Sequence, residues 1–112
     1  MRKDDVVRLR HMLDAATEAA SFAKNKTRNS LDADRQLVLS LVKSIEIIGE
    51  AAANVTTECR EDLPHIPWRD IISMRNRLIH AYFDINLDIL WKTVDEDLPP
   101  LIAELEKIVK TA

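Results

Sequence analysis

The chain is poor in the residues that break or staple a fold: 112 residues hold one glycine, four prolines, one cysteine and only 4% aromatics. So few glycines and prolines leave little material for tight turns or hairpins. The segments between them are rich in Ala, Leu, Ile, Glu, Lys and Arg, good helix formers apart from the β-branched Ile. A single cysteine, Cys59, excludes an internal disulfide and fits a reducing compartment. No Cys-His arrangement surrounds it, so a structural thiol is favoured over a nucleophile. No run of about 18 apolar residues exists, so no transmembrane helix is expected. Met1-Arg2-Lys3-Asp4-Asp5 turns acidic at once instead of leading into an apolar signal core, which sets the expected location as cytoplasmic. There is no Gly-rich phosphate loop and no nucleophile elbow. No His/Cys/Asp/Glu grouping has metal-ligand spacing, so neither a metal nor a cofactor is expected.

What is present is 46% apolar and 31% charged residues, the balance of a folded chain that does not span a membrane. The length suits one core, so residues 1–112 are expected to form a single helical domain. The net charge of −3 argues against a bulk phosphate binder. A local basic patch would have to work against the overall field.

Apolar spacing predicts a first helix from about Lys3 to Lys24, with Val6, Leu9, Leu13, Ala16, Ala20 and Ala23 on one stripe and Val7, Met12 and Phe22 widening it. Asn25-Lys26-Thr27-Arg28-Asn29-Ser30 reads as a polar connector. Ser30 or Asp32 is a candidate cap for a second helix reaching about Thr56. Val38, Leu41, Ile45, Ile48, Ala52 and Val55 recur there at steps of three and four, a coiled-coil-like seam. Leu37, Leu39, Val42 and Ile47 widen the apolar surface beyond one stripe, which suggests a dimer interface for the excess. Gly49 inside this helix costs about 1 kcal/mol against Ala, which close approach of another backbone would justify. Leu63-Pro64-His65-Ile66-Pro67 breaks the pattern, and Pro67 suits the first turn of a third helix from about Trp68 to Tyr82. Asn86 is a candidate cap for a fourth helix carrying Leu87, Leu90, Trp91 and Val94 inward. Pro99-Pro100 should end or kink it before a last amphipathic segment containing Leu101, Leu105 and Val109. The expected architecture is all-α, an antiparallel bundle of four to five helices.

Polar chemistry concentrates in Arg75-Asn76-Arg77-Leu78-Ile79-His80-Ala81-Tyr82. If the third helix ran through it, Arg69, Ser73, Asn76 and His80 would form one polar strip. Arg75 would fall among Ile71, Ile72, Met74, Leu78 and Ile79. A charged Arg at such a place needs a partner, with Glu46 or Glu50 of the second helix as candidates, or a groove along which to extend. A lone His on a helix is commonly a surface or hydrogen-bonded residue, and His11 and His65 are read so. Asp95-Glu96-Asp97 reads as a solvated acidic face.

The run Arg75-Asn76-Arg77-Leu78-Ile79-His80 resembles the Arg-x4-His motif of HEPN-domain proteins, and Ala81-Tyr82 extends it to the Arg-x4-His-x-Tyr form of the HepT-like toxins. Ile48-Gly49-Glu50-Ala51-Ala52, Pro67-Trp68 and Asp97-Leu98-Pro99-Pro100-Leu101 look like segments of the same family. The resemblance implies a HEPN-like bundle, homodimeric, acting as the ribonuclease toxin of a toxin–antitoxin pair. Its antitoxin would be an MNT-type nucleotidyltransferase that modifies the motif tyrosine, here Tyr82, with AMP. It further implies RNA, including tRNA, as substrate, cut without metal by attack of the ribose 2′-OH. On physical grounds His80 suits proton transfer, Arg75 suits the charge of a pentacoordinate phosphorane, and Asn76 suits orientation of either. Arg69 and Arg77 are candidates for holding the RNA backbone. Two other readings use the same residues: a non-catalytic helical module binding the nucleotidyltransferase or a nucleotide, and a purely structural dimerisation domain.

Overall fold

The computed structural model describes residues 1–81 and 84–112, with residues 79–81 described by their backbone alone. Helix α1 (Lys3–Ala23) carries Asp4 and Asp5 in its first turn, where carboxylates complement the partial positive charge of a helix N-terminus. The connector after it turns at Asn25, whose φ of 64° lies in the left-handed region that asparagine tolerates better than most residues. A single short turn, α2 (Ser30–Ala33), precedes the long helix α3 (Arg35–Ala53). Neither Ser30 nor Asp32 caps α3. Asp34 does, its carboxylate accepting from the Leu37 N–H at 3.1 Å, because the chain is extended only at that residue.

The expected second helix stops at Ala53, and a separate helix α4 (Thr57–Asp62) forms behind the cap Thr56. Helix α5 (Trp68–Leu78) starts after Pro67 and is followed by strands β1 (Ile79–Ala81) and β2 (Asp84–Ile85), paired antiparallel with Ile79 opposite Ile85. Asn86 caps α6 (Leu87–Lys92) by accepting from the Ile89 N–H at 3.0 Å. A π-helical turn at Thr93–Asp97 leads into α7 (Leu98–Thr111). Pro99 and Pro100 fall in the first turn of α7, where a missing N–H is tolerated. The interruption expected at the prolines therefore takes the form of a widened turn before them.

The fold is all-α apart from that short strand pair. Helix α1 packs against α3 and α7, and α3 packs against α5. Asp5 near the start of α1 meets Thr56 just beyond α3, while Arg75 near the end of α5 meets Glu46 in the middle of α3. Both neighbours therefore run antiparallel to α3. The predicted seam is buried throughout, from Val38 through Leu41, Ile45, Ile48 and Ala52 to Val55. Each large member contributes about 1.5–3 kcal/mol by leaving water. Helix α1 buries a different phase from the one expected. Leu9, Met12, Ala15, Ala16 and Ala19 face inward, while Val7 and Phe22 remain 44% and 41% exposed. Three of these five are alanines, whose small side chains let a neighbouring helix approach closely although they add little to an apolar pattern.

Asp5 is the buried polar anchor of this packing, 2% exposed. Its two oxygens accept from the Thr56 backbone N–H at 2.9 Å and from the Thr56 hydroxyl at 2.7 Å. No helix is long and apolar enough to cross a membrane among the described residues.

Candidate functional site

Helix α5 turns Ile71, Met74 and Leu78 into the core and leaves Arg75, Asn76 and Arg77 exposed. Gly49 brings it close to α3. A Cβ there would stand 3.3 Å from the carbonyl oxygen of Ile71 and 3.6 Å from that of Ile72, so the glycine accommodates the backbone of another helix. This approach puts the Arg75 Nε 3.0 Å from Glu46 Oε1. Arg75 is thus not sunk in an apolar face. Its side chain is 55% exposed and lies along the α3–α5 groove. That placement avoids the desolvation cost of a buried guanidinium, and the pair contributes no more than about 1 kcal/mol. Glu46 holds Arg75 through Nε only, so the two terminal guanidinium nitrogens have no partner among the described residues. On a side chain more than half exposed, these nitrogens form a fork that can take an anionic oxygen. Glu50 lines the same shallow groove with Gly49, Ala53 and Ile72.

The expectation that α5 continues to Tyr82 is overturned. The helix ends at Leu78, and His80 lies on strand β1. The Leu78 carbonyl, free of an intrahelical partner at the helix end, accepts from the Asn86 N–H at 2.8 Å. Pairing of Ile79 with Ile85 then takes over, and β-branched Ile at both positions suits a strand better than a helix. Asn76 and His80 are therefore not neighbours along a helical strip. Arg75 and Asn76 belong to the last turn of α5, and His80 to the strand that leaves it. The side chain of His80 and all of Tyr82 lie outside the described residues.

The remaining candidates separate. Arg77 extends along the other flank of α5, its Nη2 donating to the Asp70 carbonyl at 3.1 Å. There it borders a second, larger cavity of about 520 Å³ together with Asp70, Met74, Lys92 and Asp97. Arg69 sits in the first turn of α5, six residues before Arg75, which at 1.5 Å and 100° per residue puts it about 9 Å back along the axis and about 120° around it. Arg69 and Arg75 thus do not share one surface. His65 ties the α4–α5 turn to α7 by a 3.0 Å contact between its Nε2 and Glu104 Oε2. Cys59 is buried, and burial, followed by the nearby carboxylates Asp5 and Asp62, pushes its thiol up, which makes it a poor nucleophile. Among the described residues no three His, Cys, Asp or Glu side chains gather in a manner that could hold a metal ion.

Sequence reasoning missed the strand pair and with it the true place of His80. The signal was present: Ile79 to Ile85 contains two isoleucines and two aromatics, and Asn86 restarts a helix.

A family model described as "Ribonuclease HepT-like" matches residues 12–108. A protein of Methanocaldococcus jannaschii, whose name joins a gamma-glutamylcyclotransferase to a provisional RNase, is 37% identical over 98% of this chain, and the chain spans half of that protein's length. A Thermococcus cleftensis protein provisionally named ribonuclease HepT is 43% identical over 69% of this chain and 70% of its own length. Another Methanocaldococcus jannaschii protein, provisionally named an RNase, is 36% identical over 95% of this chain and 98% of its own length. No solved structure gives a significant match. With the family model spanning most of the chain and relatives matched over nearly their full length, this chain belongs to the HepT-like ribonuclease family.

Proposed function

We propose that this chain is a single-domain endoribonuclease that cuts RNA, tRNA included, by attack of the ribose 2′-OH on the adjacent phosphate. The observation that carries this reading is the arrangement at the end of α5. Glu46 holds Arg75 by Nε, leaving its terminal nitrogens without a partner among the described residues, and the strand bearing His80 begins four residues later. In the proposed reaction a neutral His80 takes the 2′-OH proton as the oxygen attacks phosphorus. Arg75 stabilises the phosphorane oxygens and Asn76 orients a phosphate oxygen. The bond to the 5′-oxygen breaks, and that oxygen receives a proton from an imidazolium. The products are a 2′,3′-cyclic phosphate and a free 5′-hydroxyl.

Base and acid are both needed, and one chain supplies one motif histidine. A two-fold homodimer supplies the second. Leu39 and Ile47 on α3, 49% and 37% exposed, suit such a face. We further read the chain as the toxin of a toxin–antitoxin pair restrained by an MNT-type nucleotidyltransferase, in the cytoplasm. An AMP group on Tyr82 would add a phosphodiester charge that repels RNA.

The experiment is incubation of the purified protein with cellular RNA in excess EDTA, followed by analysis of the ends. The reading requires 2′,3′-cyclic phosphate ends from wild type and none from His80→Ala. Equal cutting by both proteins would refute the catalytic assignment. A mass spectrum of protein co-expressed with a nucleotidyltransferase encoded beside it tests Tyr82 by the mass of one AMP.

A further inference from the structure

The two longest stretches without an acidic residue are residues 19–31 and 71–83. The second holds the motif. The first holds Phe22, Lys24, Lys26 and Arg28, none of which has a part in the chemistry above. The fold brings both stretches to one end of the bundle. Arg28 Nε donates to Asp88 Oδ1 at 2.7 Å, across 60 residues of sequence. Asp88 stands in the first turn of α6, directly after β2, the strand paired with the one that bears His80. Arg35, at the start of α3, adds an exposed cation at the same end.

The connector is a built element. The Lys26 N–H donates to the Ala23 carbonyl at 3.0 Å behind the left-handed Asn25, and the Thr27 N–H donates to the Ser30 hydroxyl oxygen at 3.0 Å. Arg28 is occupied by two carboxylates, Asp88 and, at 3.2 Å, Asp32, and Asp34 is occupied as the cap of α3. The charges left over are Lys24 and Lys26, on either side of Asn25, exposed and without an ion pair among the described residues. Phe22 stands two residues before Lys24 and four before Lys26, 41% exposed although the chain has only two phenylalanines. Paired cations beside an open aromatic face are what a single RNA strand requires. Phosphates meet the ammonium groups and a base stacks on the ring.

We propose that residues 22–28 are the element that holds the RNA strand: Lys24 and Lys26 bind phosphates flanking the cut, Phe22 stacks a base, and Arg28 is the strut fixing the element to the motif end. This rests on the ribonuclease reading and moves the backbone-binding role from Arg69, at the far end of α5, to the connector.

The test is fluorescence anisotropy with a 5′-fluorescein 20-nucleotide poly(U) RNA, in the non-cleaving His80→Ala protein, across 50–200 mM KCl. Two lost phosphate contacts should weaken binding of the Lys24→Ala/Lys26→Ala variant by roughly fivefold or more and flatten the slope of log affinity against log salt by about 1.4. Phe22→Ala should weaken binding at least about fivefold with the slope unchanged. Lys107→Ala/Lys110→Ala, on the last turns of α7 at the opposite end, should bind as the parent does. Wild-type affinity and slope in the connector variants would overturn the proposal, and so would absence of poly(U) binding in the parent. Cleavage of cellular RNA by the wild-type protein in the same preparation then shows whether the ribonuclease reading survives.

Discussion

At one end of the bundle Asp5 is buried and gives both oxygens to Thr56, locking α1 to the junction of α3 and α4. From the middle of α3 to the other end, where α5 gives way to β1, the ties are at the surface: Arg75 to Glu46, Arg28 to Asp88, and a short strand pair. The first kind of contact is worth more, because a desolvated carboxylate that loses its donors has no water to replace them. The second kind contributes little to stability and leaves its charges available. One end holds the fold, and the other leaves a guanidinium fork and two lysines facing solvent. Stability and the proposed chemistry are thus held by different parts of the same helices, and substitutions should separate them.

The largest expected effect is at the open end. His80→Ala should lower RNA cleavage about a hundredfold or more while the thermal unfolding midpoint stays within a degree or two, read by circular dichroism beside a cleavage assay. A large loss of stability would mean that the ends are not separable. Asp5→Ala should do the reverse, costing about 2–3 kcal/mol in urea unfolding with activity per folded molecule retained.

The pH dependence of that loss has a defined sign. Burial alone would raise the Asp5 carboxyl, but the Thr56 N–H and hydroxyl and the charge of Arg2 outweigh it and hold the group below its usual range. The contribution of Asp5 is therefore complete above the unfolded carboxylate value of about 3.9 and is lost as the pH falls through the depressed folded value. Stability measured from pH 6 down to pH 2 should show wild type and Asp5→Asn converging at the acid end.

Gly49→Val lies between the two regimes. Its added atoms would meet the Ile71 carbonyl, already 3.3 Å from a bare Cβ, and push α5 away from α3. We expect about 1–3 kcal/mol of destabilisation in urea together with reduced cleavage, since Arg75 would lose its reach to Glu46. The smallest effect on stability belongs to Glu46→Gln. The exposed pair should cost less than about 1 kcal/mol, whereas kcat should fall because Arg75 loses its fixed direction. A kcat equal to wild type would reduce Glu46 to a surface contact.

The legible parts of the molecule were those governed by one local rule. The α3 seam followed from steps of three and four, the α6 cap from Asn86, and a glutamate partner for Arg75 from the cost of an unpaired guanidinium. The parts that were not legible are settled by competition between rules. Ile79 and His80 continue the periodicity of α5 well enough to be read as helix, yet the pairing of Ile79 with Ile85 wins, and that contact is non-local. The phase of α1 was misjudged because its alanines carry little hydrophobic weight in a pattern but permit the closest packing. The meeting of the connector with α6 depends on Arg28 and Asp88, 60 residues apart, and no window of sequence contains both.

The π-helical turn solves a problem of phase. Leu90, Val94 and Leu98 are each buried to within a few per cent, although they are spaced by four. In an unbroken α-helix each step of four overshoots a full turn by about 40°, so the third of them would have swung about 80° off the core. The widened turn absorbs that surplus and returns Leu101 and Leu105 to the side facing the other helices. The spare length emerges outward as Asp95-Glu96-Asp97, all three exposed. The acidic triplet is then the visible remainder of a gear correction: removing one of its residues should force the downstream rod to choose between an unbroken ladder and a buried leucine row.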